Sequence, residues 1–227
     1  MSAEMLKEFI EKNRDKKAFL EYEVKGLFKT MGFSVPDGVF IPKDSYLSAF
    51  SLQLSALSYP LVAKVSSQKI TSKSDVRGIR LGIRNEDELN NAISELMHIE
   101  NAEGVLVEEM ASHGLEVIIG GVIDEQFGPI VMFGLGGVFV EVFKDIAFGL
   151  APLKKDEALW LIRQIKGYRL LEGYRGDLPV DFDALINIIV SVSEMMATNL
   201  IKEIDLNPVA LYPKGAMILD AKMKIIL

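Results

Sequence analysis

The sequence predicts an α+β fold, a mixed α/β chain of two subdomains in one compact unit. Apolar residues recur at three-to-four spacing over residues 4–31, 156–166 and 181–200, the period of helices with one buried face. Short apolar runs around 35–41, 60–65, 104–110, 117–122 and 129–133 have the length and composition of strands. Strands and helices are interspersed without the regular alternation that builds a doubly wound parallel sheet. The 227 residues suffice for such a unit with a real core, and 49% apolar against 25% charged residues is a globular balance.

In chain order, residues 4–31 read as helix through Leu6, Phe9, Ile10, Leu20, Val24, Leu27, Phe28 and Met31, closed by Gly32. Residues 35–41 form a short strand between Pro36 and Pro42, hence at a sheet edge. Residues 60–65 are a buried strand with Lys64 inside it. Asn85 caps a helix whose Glu88 closes a capping box and whose core face is Leu89, Ala92, Ile93, Leu96 and Met97. Residues 104–110, 117–122, 129–133 and 138–142 are extended, with a glycine loop at Gly134, Gly136 and Gly137. Residues 156–166 and 181–200 return to helix, Met195 and Met196 filling core. The hinge between the subdomains falls near 104–110.

Composition excludes several functions. A net charge of −7 argues against a duplex nucleic acid, whose binding rests on basic phosphate contacts. With no cysteine there is no disulfide, thiolate metal site or cysteine nucleophile. Two histidines, His98 and His113, cannot build a multi-histidine zinc site; His113 reads as a turn residue in water and His98 as surface. The charged start lacks the apolar core of a signal peptide, and no apolar run reaches the ~18 residues of a membrane span. The expectation is a cytoplasmic protein.

The last stretch carries the most chemistry. Two apolar strands fold back around Pro213, Lys214 and Gly215, and Glu203, Asp205 and Asn207 alternate along the first, so they share a face. A hairpin centred between Pro213 and Lys214 sets Asn207 directly opposite Asp220. A glycine bulge in the turn would slip the pairing by one and turn Asp220 away. In the first register, two hard oxygen ligands and spare carboxylates suit Mg²⁺, which keeps waters and shares its sphere with phosphates.

Other positions offer further chemistry. Lys64 in a buried strand needs an anionic partner, which a phosphate would supply. Residues 66–82, with Lys69, Lys73, Arg77 and Arg80, make a mobile basic loop able to close over polyphosphate, although the Walker A pattern is absent. Glu108 and Glu109 end a strand where backbone groups would meet an adenine and a carboxylate a ribose. Glu116 heads the next strand, facing a ribose hydroxyl or a metal. The glycines at 134–137 permit close backbone approach.

Taken together, residues 61–64, 73–82, 104–110, 126–145, 173–176 and 204–208 stand in the order of a known family. The block Phe133-Gly134-Leu135-Gly136-Gly137-Val138-Phe139-Val140-Glu141 is its most specific part. The chain resembles the ATP-grasp β-subunit of ADP-forming acetyl-CoA (acyl-CoA) synthetase, a relative of the succinyl-CoA synthetase β-subunit. The resemblance implies an ATP-grasp fold of two α+β subdomains: a single module over 1–227, with an N-terminal subdomain at 19–105 and a C-terminal one at 106–227 carrying the hairpin. It implies that acyl-CoA, ADP and phosphate are interconverted with free acid, CoA and ATP. A CoA-binding α-subunit carries a phosphorylated histidine, and Mg-nucleotide (ATP or ADP) lies between the subdomains. Lys64 matches the phosphate-binding lysine, Val107, Glu108, Glu109 and Met110 the adenine hinge, and Asn207 and Asp220 the Mg²⁺ ligands. Asp205 matches an acidic position near the phosphohistidine.

One loop departs from the family. Its pattern is His-Lys-Ser-Asp-x-Gly-Gly, and here Ser72 replaces the histidine that takes phosphate and Arg77 replaces a glycine. A serine phosphate is far less labile than a phosphoramidate, so Ser72 is a poor relay. Three functions follow. The first is a catalytic nucleotide subunit served by the α-subunit's histidine alone, as in succinyl-CoA synthetase relatives. The second is a non-catalytic or regulatory nucleotide-binding subunit. The third and more distant is a stand-alone carboxylate–amine ligase.

Overall fold

The computed structural model describes residues 1–227 apart from Lys17, Thr71, 138–141 and Leu227. The chain divides into two units, one made of Met1–Val35 with His113–Leu227 and the other of Pro36–Ser112.

The first helical stretch is two helices, α1 (Ser2–Lys12) and α2 (Glu21–Thr30), where one was expected over 4–31. The break has a local cause. The Asn13 side chain donates back to the Phe9 carbonyl at 2.8 Å and ends α1. The Glu23 carboxylate accepts the Leu20 N–H at 2.9 Å and starts α2. Gly32, at φ +87°, closes α2 in the left-handed region, as the pattern predicted.

The second unit is built on an antiparallel sheet of β1 (Gly38–Pro42), β2 (Leu61–Ser66), β3 (Ile79–Ile83) and β4 (Gly104–Glu109), in the order β1-β4-β2-β3. A short helix, α3 (Ser51–Ser55), precedes β2, and α4 (Glu86–Met97) follows β3. The proline-flanked β1 lies at the edge. Asn85 caps α4, its side chain accepting the Glu88 N–H at 2.9 Å, while the Glu88 carboxylate takes the Arg84 N–H at 2.8 Å. Leu61, Ala63, Val65, Val105 and Val107 pack with Leu89, Ile93 and Leu96 of α4 in one apolar cluster. The boundary expected at 105/106 would cut β4, which is paired on both sides to β1 and β2. The division falls instead at 35/36 and 112/113, after the paired strand 104–109.

The remainder of the first unit comprises β5 (Leu115–Asp124), β6 (Gly128–Leu135), β7 (Ile146–Leu150), α5 (Lys155–Ile162), α6 (Tyr168–Leu171), α7 (Phe182–Met196), β8 (Ile201–Leu211), β9 (Ala216–Ile218) and β10 (Ala221–Ile225). The sheet runs β10-β8-β5-β6-β7, with β9 also paired to β8. Leu6 of α1, Phe28 of α2 and Leu185, Ile189, Val192 and Met196 of α7 pack in one core with Val117, Ile119, Val131 and Phe133. This packing places the N-terminal helices in the unit of the C-terminal hairpin. The strand expected over 138–142 lies outside the described residues except for Val142, which is in a turn. Strand β7 was not anticipated, because Ile146, Ala147 and Phe148 form too short an apolar run to signal a strand.

Candidate functional site

The hairpin has the register that brings its polar residues together. Leu211 pairs with Ala216 and Val209 with Ile218, and the same register continues as Leu206 with Ala221 and Asp205 with Lys222. Asn207 therefore lies opposite Asp220, and its N–H donates to the Asp220 carbonyl at 3.2 Å. Ile204 and Leu206 are buried while Glu203 and Asn207 are exposed, so Glu203, Asp205 and Asn207 share the outer face as their spacing requires. The pairing of β8 with β5 shifts between Val117 and Ile119, beside Asn207 and Pro208. Such irregularities re-aim side chains. Asp181 holds the hairpin tip: its carboxylate caps α7 by accepting the Ala184 N–H at 3.0 Å and takes the Gly215 N–H at 2.8 Å. These two donors hold its carboxyl below the ordinary carboxylate range.

A groove of about 340 Å³ runs over this outer face, lined by Ile118, Gly120, Met132, Phe148, Asp205 and Asn207 among others. Gly120 pairs with Asp205, so no side chain crowds that carboxylate from β5. At the end of β6, Gly136 donates its N–H to the Glu116 carbonyl at 2.8 Å, and a Cβ there would lie 3.0 Å from that oxygen. The glycine is needed because two backbones meet. Glu116 itself is exposed at the head of β5. Asp145, buried, accepts the N–H groups of Lys166 and Gly167 at 2.6 and 2.7 Å.

In the second unit, Lys64 Nζ lies 2.8 Å from the Glu108 carboxylate, with both side chains buried. The protein itself supplies an anionic partner for this lysine. The pairing follows from register: Val62 opposes Glu108, so Lys64 and Glu108 are diagonal neighbours on one face. A Cβ at Gly38 would fall 2.7 Å from the Glu108 Cγ, so the glycine makes room for this side chain. The Glu109 carboxylate accepts the Ser58 N–H at 2.8 Å. The N–H groups of Glu109 and Met110 donate to Asp37 and Pro60 carbonyls, each at 2.9 Å. Glu108 thus pairs with Lys64, and Glu109 ties the loop at Ser58. Val107 is buried in the core cluster.

Residues 66–82 are not one mobile loop. Ser66 ends β2, 79–83 is β3, and the turn between is pinned by Val65 N–H to Gly78 O at 2.8 Å and Gly78 N–H to Lys73 O at 2.6 Å. Ser72 Oγ accepts the Asp75 N–H at 3.4 Å, a turn-forming role. Arg77 sits at φ +50°, left-handed geometry that favours glycine. Arg80 pairs with Glu95 at 2.8 Å. His98 and His113 are exposed.

The structure thus pairs Lys64 with Glu108 in one unit and sets Asn207 opposite Asp220 in the other, where Asp205 and Asn207 line the groove. Sequence reasoning missed Asp181, whose signal was a capping aspartate ahead of an apolar helix, and Gly38, which only the cross-strand register reveals.

A four-stranded antiparallel sheet with a buried lysine, and a second antiparallel sheet ending in an Asn/Asp hairpin, describe an ATP-grasp protein. The model of the ATP-grasp domain matches residues 11–225. The chain is 40% identical to the beta subunit of acetate–CoA ligase [ADP-forming] I of Pyrococcus furiosus, covering 96% of both chains. It is 39% identical to acetate–CoA ligase [ADP-forming] II of Archaeoglobus fulgidus over 90% of this chain, which spans 30% of that longer protein. The dinucleotide forming acetyl-coenzyme A synthetase 1 of Ca. Korarchaeum cryptofilum, solved with coenzyme A and Mg-AMPPCP, is 37% identical with a TM-score of 0.79 and complete coverage of both chains. The chain belongs to the ATP-grasp family, in the branch of the beta subunits of ADP-forming acetate–CoA ligases.

Proposed function

We propose that this chain is the nucleotide-binding subunit of an ADP-forming acyl-CoA synthetase, an acid–thiol ligase. It interconverts acyl-CoA, ADP and phosphate with free acid, CoA and ATP, together with a CoA-binding α-subunit that carries a phosphohistidine. The observation that carries this reading is the hairpin register, which sets Asn207 against Asp220 on one strand pair. End-to-end similarity to a named beta subunit supports it.

The donor set fits Mg²⁺. Among the described residues no group of three or more His, Cys, Asp or Glu side chains gathers as a metal cage. An amide oxygen and a carboxylate leave most of a coordination sphere to water and phosphate, which is how Mg²⁺ binds. Asn207 and Asp220 would hold it, and it would neutralise phosphate charge. Lys64 would bind phosphate, residues 107–110 the adenine, Glu116 the ribose, and Asp205 would face the partner's phosphohistidine. Among the described residues no helix is long and apolar enough to cross a membrane. A cytoplasmic hetero-oligomer matches a reaction between soluble nucleotide and CoA.

A second reading, a regulatory subunit without a relay of its own, is favoured by Ser72, whose hydroxyl accepts the Asp75 N–H instead of offering an imidazole. Co-purification with a CoA-binding α-subunit, followed by acyl-CoA-dependent conversion of ADP to ATP, separates the two. Turnover supports the ligase. Nucleotide binding without turnover supports the regulatory subunit.

A further inference from the structure

Ser66 is the last residue of β2, two positions after Lys64, so the two side chains lie on the same face of the sheet. It is 2% exposed, and among the described residues its Oγ is buried with no hydrogen-bond partner. Its backbone carbonyl is engaged, accepting the Glu103 N–H at 2.9 Å. The residue opposite on β4 is Gly104, and a Cβ there would strike the Phe40 ring at 2.5 Å. The residue across the sheet from Ser66 thus has no side chain that could satisfy its hydroxyl. An orphaned buried hydroxyl is destabilising, and one retained in a well-paired sheet calls for an explanation. Lys64, on the same face, is itself buried, its side chain 10% exposed.

We propose that the Ser66 hydroxyl is a phosphate ligand, donating a hydrogen bond to a nonbridging oxygen of the nucleoside polyphosphate that Lys64 also contacts. This rests on the reading of Lys64 as a phosphate-binding lysine. The arrangement exchanges stability of the free protein for a bond made only when ligand is bound.

The test is Ser66→Ala, with melting temperature measured on the free protein and titrations with Mg-ATP, Mg-ADP and adenosine. Removing an unsatisfied hydroxyl leaves the free protein as stable as wild type or more so. Losing a hydrogen bond to a charged phosphate weakens Mg-ATP and Mg-ADP binding by about ten- to a hundredfold and leaves adenosine unaffected. Unchanged nucleotide affinity overturns the proposal, as does an equal loss for adenosine and the phosphorylated ligands, which marks Ser66 as structural. If wild type binds no nucleotide at all, the functional reading fails, and that result is distinct from either outcome in the variant.

Discussion

Lys64 and Glu108 form a buried ion pair, Nζ to Oε2 at 2.8 Å, on neighbouring central strands of one sheet. Removing one partner of such a pair leaves an uncompensated buried charge, at a cost of roughly 3–5 kcal/mol. Lys64→Met therefore destabilises by about that amount, and adding Glu108→Leu recovers most of the loss. Urea unfolding of the two variants checks this. A loss below about 1 kcal/mol for Lys64→Met is what an exposed pair would give.

Arg77→Gly stabilises the protein. Arg77 lies at φ +50°, where a side chain costs about 1–2 kcal/mol, against roughly 0.5–1 kcal/mol for the greater freedom of glycine in the unfolded chain. The net gain is about 0.5–1 kcal/mol, a rise of roughly 1–4 °C in melting temperature. The Arg77 carbonyl, which accepts from Arg80 at 2.7 Å, is retained in the variant. A lower melting temperature would show that the Arg77 side chain holds the turn.

Asp181→Ala costs about 1 kcal/mol as a lost helix cap and frees the hairpin tip at Gly215. The Ala184 N–H first, then the Gly215 N–H, depress the Asp181 carboxyl below 3.8. A depressed carboxyl adds stability above its unfolded pKa, and that stability disappears as pH falls through the lower folded value. Between pH 5 and pH 2 the wild type thus loses more melting temperature than Asp181→Asn. Parallel curves would contradict this.

Asp220→Ala removes the magnesium dependence of nucleotide affinity and leaves the fold intact. The bond across the hairpin comes from the Asp220 backbone carbonyl and survives the substitution. Calorimetric titration of nucleotide with and without Mg²⁺ reads the effect. A variant that is strongly destabilised yet binds Mg-nucleotide normally would make Asp220 structural.

The Asn207/Asp220 pairing was legible as one of two registers, because strand alternation has a period of two, and the pairing of Leu211 with Ala216 selects it. The partner of Lys64 was not. Burial of a lysine signals that an anion is near, but only the register of β2 against β4 identifies Glu108. The single helix over 4–31 failed for a related reason: its apolar period continues through a break that polar side chains at Asn13 and Glu23 impose. The unit boundaries were hidden because the N-terminal helices pack far along the chain, on α7 and the C-terminal strands. Ser72 was legible as the departure from the motif, and only its bond to the Asp75 N–H shows it acting as a turn residue.

The most direct test of the central claim is nucleotide binding by the isolated chain. Mg-ATP or Mg-ADP at about 100 times its dissociation constant stabilises by about 2.7 kcal/mol. For 227 residues this corresponds to a rise of roughly 5–10 °C in melting temperature, absent in Lys64→Met. No shift with either nucleotide at millimolar concentration, with magnesium present, would contradict the assignment.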